Sequence, residues 1–235
     1  MTATSYRTRR GELETYFDRT AVDAWKKLTS DAPVGRIRAT VRAGRDTMRA
    51  QMLSWLPEDL SGRRILDAGC GTGAFSVELA RRGAQVVAID LSSKLVSMAQ
   101  ERLPADIRPG SIDFRVGDML DAATGRFDHV VAMDSLIHYD TNDIVRALSA
   151  LSARTTRSMV VTFAPRTPAL TLMHAVGRLF PRGDRAPAIE PVSEKRLRAV
   201  MERDRGLTEW SVGRTYRVSR GFYISQGLEV RRDDI

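Results

Sequence analysis

Cysteine is almost missing from this 235-residue chain, which holds Cys70 and no other. That excludes an internal disulfide and agrees with a reducing compartment. With three histidines alongside, it also leaves no zinc-ligand spacing. Long apolar runs are absent too, so no stretch reaches the length of a bilayer-spanning helix. Met1-Thr2-Ala3-Thr4-Ser5-Tyr6-Arg7 lacks the apolar core of a secretory signal. No internal repeat, linker or low-complexity tract occurs, and one domain is expected. Aromatic residues make up only 6% of the chain, without the aromatic-and-basic ladder of a single-strand binder. Apolar residues, by contrast, make up 43%, ordinary for a chain with a real core. Net charge is +8, and arginine supplies nearly all of the positive side. A basic surface invites an anionic partner. The arginines are scattered, in pairs such as Arg9-Arg10, Arg63-Arg64 and Arg81-Arg82, which is also how solvated faces look.

One stretch organises the rest: Arg64-Ile65-Leu66-Asp67-Ala68-Gly69-Cys70-Gly71-Thr72-Gly73-Ala74-Phe75. Ile65 and Leu66 read as a buried strand end. Gly69, Gly71 and Gly73 clear side chains from alternate positions of a turn that can bring backbone N–H groups to a ligand. Phe75, Leu79 and Ala80 then share a helix face, and Gly83 stops the helix. Cys70, inside the turn and without a histidine nearby in sequence, reads as packing rather than as a nucleophile.

Strand–helix alternation follows. Strands are expected near 63–67, 85–90, 112–116, 128–133 and 158–164, and helices near 74–82, 93–102 and 142–152. Such alternation implies right-handed crossovers and a parallel sheet. Upstream, Gly11 to Lys27 reads as a helix. Ile37, Val41, Met48, Met52 and Trp55 mark a second helix that ends at Pro57. Gly44 interrupts it, which hints at close approach by a ligand or another element. Residues 1–60 are thus expected to form a helical arm or lid, ahead of a domain over 61–235. Beyond the fifth strand an insertion over about 165–205 carries the apolar stretch Leu170 to Phe180 and a helix near 194–203. Two strand-like runs, 209–218 and 221–230, separated by Ser219-Arg220, predict a terminal antiparallel hairpin.

Acids sit at three strand tips. Asp67 precedes the glycine turn, Asp90 ends Gln85-Val86-Val87-Ala88-Ile89, and Asp118 follows the third strand in Val116-Gly117-Asp118-Met119. Gly69, Gly71 and Ala74 also satisfy a dinucleotide fingerprint. A carboxylate beside the turn would repel a pyrophosphate, whereas it favours a ligand bearing an ammonium and a sulfonium. The D-x-G-x-G-x-G string is similar to the first motif of class I S-adenosylmethionine-dependent methyltransferases. That resemblance implies a Rossmann-like α/β fold with a seven-stranded, mostly parallel sheet and an antiparallel C-terminal strand. It implies cofactor contacts from Asp67, Gly69, Gly71, Gly73, Asp90, Leu91, Asp118, Met119 and Asp134. Asp90 would take the ribose hydroxyls, Asp118 the adenine amino group, and Met119 would pack on the ring.

A narrower resemblance rests on several motifs together. These are Tyr16-Phe17-Asp18-Arg19-Thr20 with Trp25, Val41-Arg42-Ala43-Gly44, Leu136-Ile137-His138-Tyr139, Thr162-Phe163-Ala164-Pro165-Arg166-Thr167, Leu179-Phe180-Pro181 and Arg220-Gly221-Phe222-Tyr223. From about residue 14 onward the chain resembles the magnesium-protoporphyrin O-methyltransferases of chlorophyll and bacteriochlorophyll synthesis. The resemblance implies methyl transfer from S-adenosylmethionine, with S-adenosylhomocysteine as product, to one propionate of Mg-protoporphyrin IX. Magnesium enters only as part of that substrate. His138 and Tyr16 would be the active-site pair, and Tyr139, Arg42, Phe180 and Phe222 would contact substrate. Magnesium chelatase, through its large porphyrin-binding subunit, would be the donor partner. A cytoplasmic chain with peripheral contact at the inner photosynthetic membrane is expected. Two departures stand out: Asp140 replaces a frequent proline after the His-Tyr pair, and Gly221 separates the basic Arg220 from Phe222-Tyr223. A propionate is already ionised at neutral pH, so no strong base is required. Two alternatives stay open: a methyltransferase of another small molecule such as a quinone precursor, and a non-catalytic porphyrin carrier. A nucleic-acid acceptor is disfavoured because Asp134-Ser135-Leu136 stands where an N/D-P-P-aromatic motif would be.

Overall fold

The computed structural model describes residues 3–19, 35–167 and 189–233. In chain order these residues build α1 (Ala3–Arg19), α2 (Arg36–Leu53), β1 (Arg64–Ala68), α3 (Ala74–Arg81), β2 (Gln85–Asp90), α4 (Ser93–Glu101), β3 (Ser111–Val116) and β4 (Phe127–Ala132). They continue with α5 (Thr141–Ser152), β5 (Thr155–Phe163), α6 (Glu194–Met201), β6 (Trp210–Arg220) and β7 (Tyr223–Arg232). The seven strands form one sheet in the order β3-β2-β1-β4-β5-β7-β6. β1 to β5 run parallel, and β7 pairs antiparallel with both β5 and β6. The order reverses between β1 and β4, so a crevice opens at their carboxyl ends.

Apolar strand residues divide by the two-residue side-chain period. Ile65, Val86, Val131 and Val160 face Met48, Met52 and Leu79 of α2 and α3. Leu66, Val87, Val130 and Val161 face Ile144, Leu148 and Leu197 of α5 and α6. Asp140 caps α5, its Oδ1 accepting from the Asp143 N–H at 2.8 Å. An acid there supplies the acceptor that a proline could not, which gives that sequence departure a local reason.

Three expectations are corrected. α1 spans Ala3–Arg19 rather than starting at Gly11, and the expected remainder to Lys27 lies outside the described residues. The arginines of its first turns are good helix formers but carry no apolar signal. Ile37 does not join the buried stripe of α2; it is 57% exposed, and burial begins at Gly44. The hairpin turn is Gly221-Phe222 rather than Ser219-Arg220, because Gly221 supplies the left-handed residue (φ +58°) and presses on Thr40 of α2. Gly44 meets its expectation: a Cβ there would lie 2.6 Å from Cδ1 of Tyr223, so α2 seats directly on the start of β7. Leu170 to Phe180 falls outside the described residues.

Candidate active site

The crevice between β1 and β4 holds a cavity of about 420 Å³. The glycine turn lies at its base. Gly69, Gly71 and Gly73 all have positive φ (82°, 53° and 79°). The turn's donors are spent within the chain, contrary to the expectation that they face a ligand. Gly69 and Cys70 N–H donate to the Ile89 carbonyl at 2.8 and 3.0 Å, and Gly73 N–H donates to Cys70 O at 3.0 Å. Gly71 N–H donates to Asp90 Oδ2 at 2.8 Å. A pyrophosphate would find these donors consumed, while a cation finds carboxylates.

Asp67 is 1% exposed and accepts from Ser76 Oγ at 2.5 Å. Burial pushes its carboxyl up to about 7; neighbouring Asp90 adds to the rise and the Ser76 hydrogen bond opposes it. Asp90 accepts from Gly71 N–H and from Ser92 N–H at 2.9 Å. A carboxylate has about four lone-pair sites, so two remain for a pair of ribose hydroxyls. Asp118 accepts from Tyr6 Oη at 2.8 Å, from Arg10 Nη1 at 3.0 Å and from Leu120 N–H at 2.9 Å. One further donor, such as an adenine amino group, still fits. Arg154, itself buried, donates to the Met119 carbonyl and fixes the segment that carries Asp118 and Met119. Leu91 and Met119 complete this end of the cavity.

Across the cleft, the segment after β4 brings in Asp134, Ser135, His138 and Tyr139. Asp134 holds a left-handed backbone (φ 57°), the one such non-glycine among the described residues. Its N–H donates to Thr162 Oγ1 at 2.7 Å. Its carboxylate has two partners: Tyr223 Oη donates to Oδ1 at 2.9 Å, and Arg45 Nε lies 3.5 Å from Oδ2. Asp134 thus lines the cavity with its carboxylate shared between Tyr223 and Arg45. His138 is buried with its ring edge-on to Phe17, centroids 6.3 Å apart. Tyr139 stacks on Tyr6 at 5.1 Å.

Among the described residues, α1 and α2 form two further walls. α1 contributes Tyr6, Leu13 and Phe17, and α2 contributes Arg42, Arg45, Asp46 and Arg49. Tyr16 does not line the cavity; it stands about 100° round the helix from Phe17 and packs edge-on to that ring at 5.2 Å. Phe222 does not line it either, being 56% exposed on the hairpin turn. Gly73 lies behind the turn against Phe114. Phe180 falls outside the described residues. Cys70 is buried, and burial drives its thiol well above the usual range, as a packing role requires. His129 hydrogen-bonds Ser158 Oγ at 2.7 Å inside the sheet, and burial lowers it to about 4. Sequence reasoning missed Tyr6, Arg45 and Arg49. The spacing of Arg42, Arg45 and Arg49 on one helix face was the signal available for two of them.

The state of Asp67 gives a testable consequence. Its raised value means that the cofactor-free chain holds it protonated below pH about 7. A cationic ligand favours the ionised form. Cofactor binding below pH 7 should therefore release a proton and weaken by up to about tenfold per pH unit as pH falls. Titration calorimetry in buffers of differing ionisation enthalpy checks this; an affinity flat from pH 5.5 to 8 would refute it. For the empty fold the sign is reversed. The contribution of Asp67 to stability is full below its ordinary value of about 3.9 and is lost as pH rises through about 7.

A switch-point cleft, an acid before a glycine turn and a second acid at the β2 tip define a class I S-adenosylmethionine-dependent methyltransferase. The profile of the family described as "Methyltransferase domain" matches residues 65–157. That of "Magnesium-protoporphyrin IX methyltransferase C-terminus" matches residues 132–232. The chain is 52% identical to the magnesium-protoporphyrin O-methyltransferase of Rhodobacter capsulatus over 94% of its length and 96% of the relative's. It therefore belongs to the magnesium-protoporphyrin O-methyltransferase family. The crystal structure of magnesium protoporphyrin IX methyltransferase from Synechocystis PCC 6803 with bound SAH superposes with a TM-score of 0.79 at 30% identity. That match covers 95% of this chain and 99% of the other. The same protein with bound SAM gives 0.76 at 27% identity, covering 96% and 97%.

Proposed function

We propose that this chain methylates one propionate of Mg-protoporphyrin IX in bacteriochlorophyll synthesis, and that His138 orients the reacting carboxylate. The observation that carries the reading is the polarity of the cavity. Carboxylates form its floor, aromatic rings of α1 and the post-β4 segment form one wall, and arginines of α2 form another. An apolar macrocycle with anionic side arms matches the two walls, and a sulfonium cofactor matches the floor. When bound, S-adenosylmethionine supplies an electrophilic methyl group. The residues of the chain desolvate the propionate and hold it in line, which is where the rate gain lies. His138 is a positioning donor rather than a base, since the nucleophile is already ionised. Tyr16 acts through Phe17, whose ring separates it from His138. Arg42, on the α2 wall, would pair a propionate of the substrate.

The direct test incubates the protein with methyl-labelled S-adenosylmethionine and Mg-protoporphyrin IX and follows label into a monoester. Absence of label with cofactor still bound would remove this acceptor. His138→Ala should lower kcat/KM for the porphyrin by about 10- to 100-fold, the scale of a misplaced reactant, and leave cofactor affinity unchanged. A pH profile of the native rate with a histidine-like limb would instead make His138 a base.

The porphyrin-binding subunit of magnesium chelatase is the proposed donor, on the resemblance alone. Peripheral membrane contact has surface support. Ile37 and Phe222 are more than half exposed, and Gly221 joins their two elements at Thr40. Arg36, Arg38, Arg217 and Arg220 flank them, and residues 35–45 and 210–228 contain no acid. No helix among the described residues is long and apolar enough to cross a membrane.

A further inference from the structure

Arg42, Arg45 and Arg49 fall at i, i+3 and i+7 of α2 and line one wall of the cavity. Two of them are held by acids. Arg45 Nε lies 3.5 Å from Asp134 Oδ2, and Arg49 Nη2 lies 2.6 Å from Asp46 Oδ1. The Asp134 anchor is itself over-determined, by Tyr223 Oη, by Thr162 Oγ1 and by a left-handed backbone that only surrounding contacts sustain. Gly44, between Arg42 and Arg45, lets the helix sit against the Tyr223 ring. Arg45 is thus aimed by a buried acid before any ligand arrives.

One carboxylate at the methyl group needs only one guanidinium fork. The face presents three. We propose that the arginine face of α2, centred on Arg45, grips the propionate that is not methylated and so limits the reaction to one ester. This rests on the porphyrin reading above. The macrocycle fixes the attachment points of its two propionate arms, so with one carboxylate at the methyl group the other is met at a second place. The only wall rich in planar, always-charged donors among the described residues is α2. Methylation turns one carboxylate into a neutral ester. For a second round the monoester would have to enter reversed, with its ester against the guanidiniums, and would forfeit the charge-assisted hydrogen bonds. The native chain should therefore prefer the diacid over the monoester by about 10- to 100-fold in kcat/KM.

The test compares the native chain with Arg45→Gln, Arg45→Lys and Arg49→Gln. Mg-protoporphyrin and its monomethyl ester are the acceptors, products are separated by chromatography, and cofactor Kd is measured by calorimetry. In Arg45→Gln the expected result is a raised porphyrin KM, a preference reduced to within about threefold, and diester among the products. Cofactor Kd stays as in the native chain, and Arg45→Lys recovers part of the preference. Arg49→Gln, remote from the Asp134 joint, gives the same pattern if Arg45→Gln does not fold. A variant that keeps the full preference overturns the proposal. So does a weakened cofactor Kd with preference intact, which would assign the face to the cofactor's own carboxylate. No ester from the native chain would defeat the porphyrin reading itself, whereas ester without any preference for the diacid defeats this proposal alone.

Discussion

Gly69→Ala should leave a folded chain that no longer binds S-adenosylmethionine measurably. The residue sits at φ 82°, where an L side chain costs about 1–2 kcal/mol. An added Cβ would also lie 2.4 Å from Cβ of Ser135. Ser135 has little room to yield, because its neighbour Asp134 is pinned from both β5 and β7. The glycine turn must then lift from the tip of β4, taking its hydrogen bonds to Ile89 with it. A loss of more than about 100-fold in affinity, near 2.7 kcal/mol, is expected, with a lower Tm. Calorimetry on the purified variant decides; binding within about threefold of native would show that the turn is not the cofactor seat.

Asp90→Ala has a comparable effect for a different reason. Its two carboxylate oxygens take the N–H groups of Gly71 and Ser92, which ties the glycine turn to the entry of α4. Removing the acceptor leaves two donors without a partner, at about 1–3 kcal/mol each. It also deletes the group proposed to take both ribose hydroxyls. Affinity should fall by about 100- to 1,000-fold. Asp90→Asn keeps one acceptor oxygen and should fall between. If Ala and Asn variants both bind the cofactor like the native chain, the acid at the β2 tip serves only the turn.

Much of the cofactor half was legible because its signals are local. A glycine with positive φ, an acid two residues ahead and an apolar run of four to six residues each speak within a short window. β2 matches its expected span, and the ends of β1 and β4 are off by one residue. The side of the cavity built by α1, α2 and the segment after β4 was less legible, for reasons the contacts make plain. Tyr6 and Arg10 reach Asp118 across more than a hundred residues, from a helix whose first turns carry no apolar stripe. Tyr16 looked like an active-site residue by motif, yet one step round α1 separates it from the cavity. Asp134 followed the pattern of a cofactor acid, but the partners that claim its carboxylate come from α2 and β7, which sequence spacing does not reveal. Phe222 lost its place to the turn chemistry of Gly221, which puts the hairpin tip outward.

The position of β7 has a consequence for how the chain is made. β7 is the last strand in sequence among the described residues, yet it is not an edge; it lies between β5 and β6. Until Tyr223–Arg232 is synthesised, β5 presents a bare row of backbone donors and acceptors along residues 158–163. Apolar Met159, Val160 and Val161 stand beside that row. Such an open edge is a template for pairing with another chain. A ribosome that stops before Tyr223 would release an aggregation-prone product, even though every residue of the glycine turn and all three strand-tip acids had already been built.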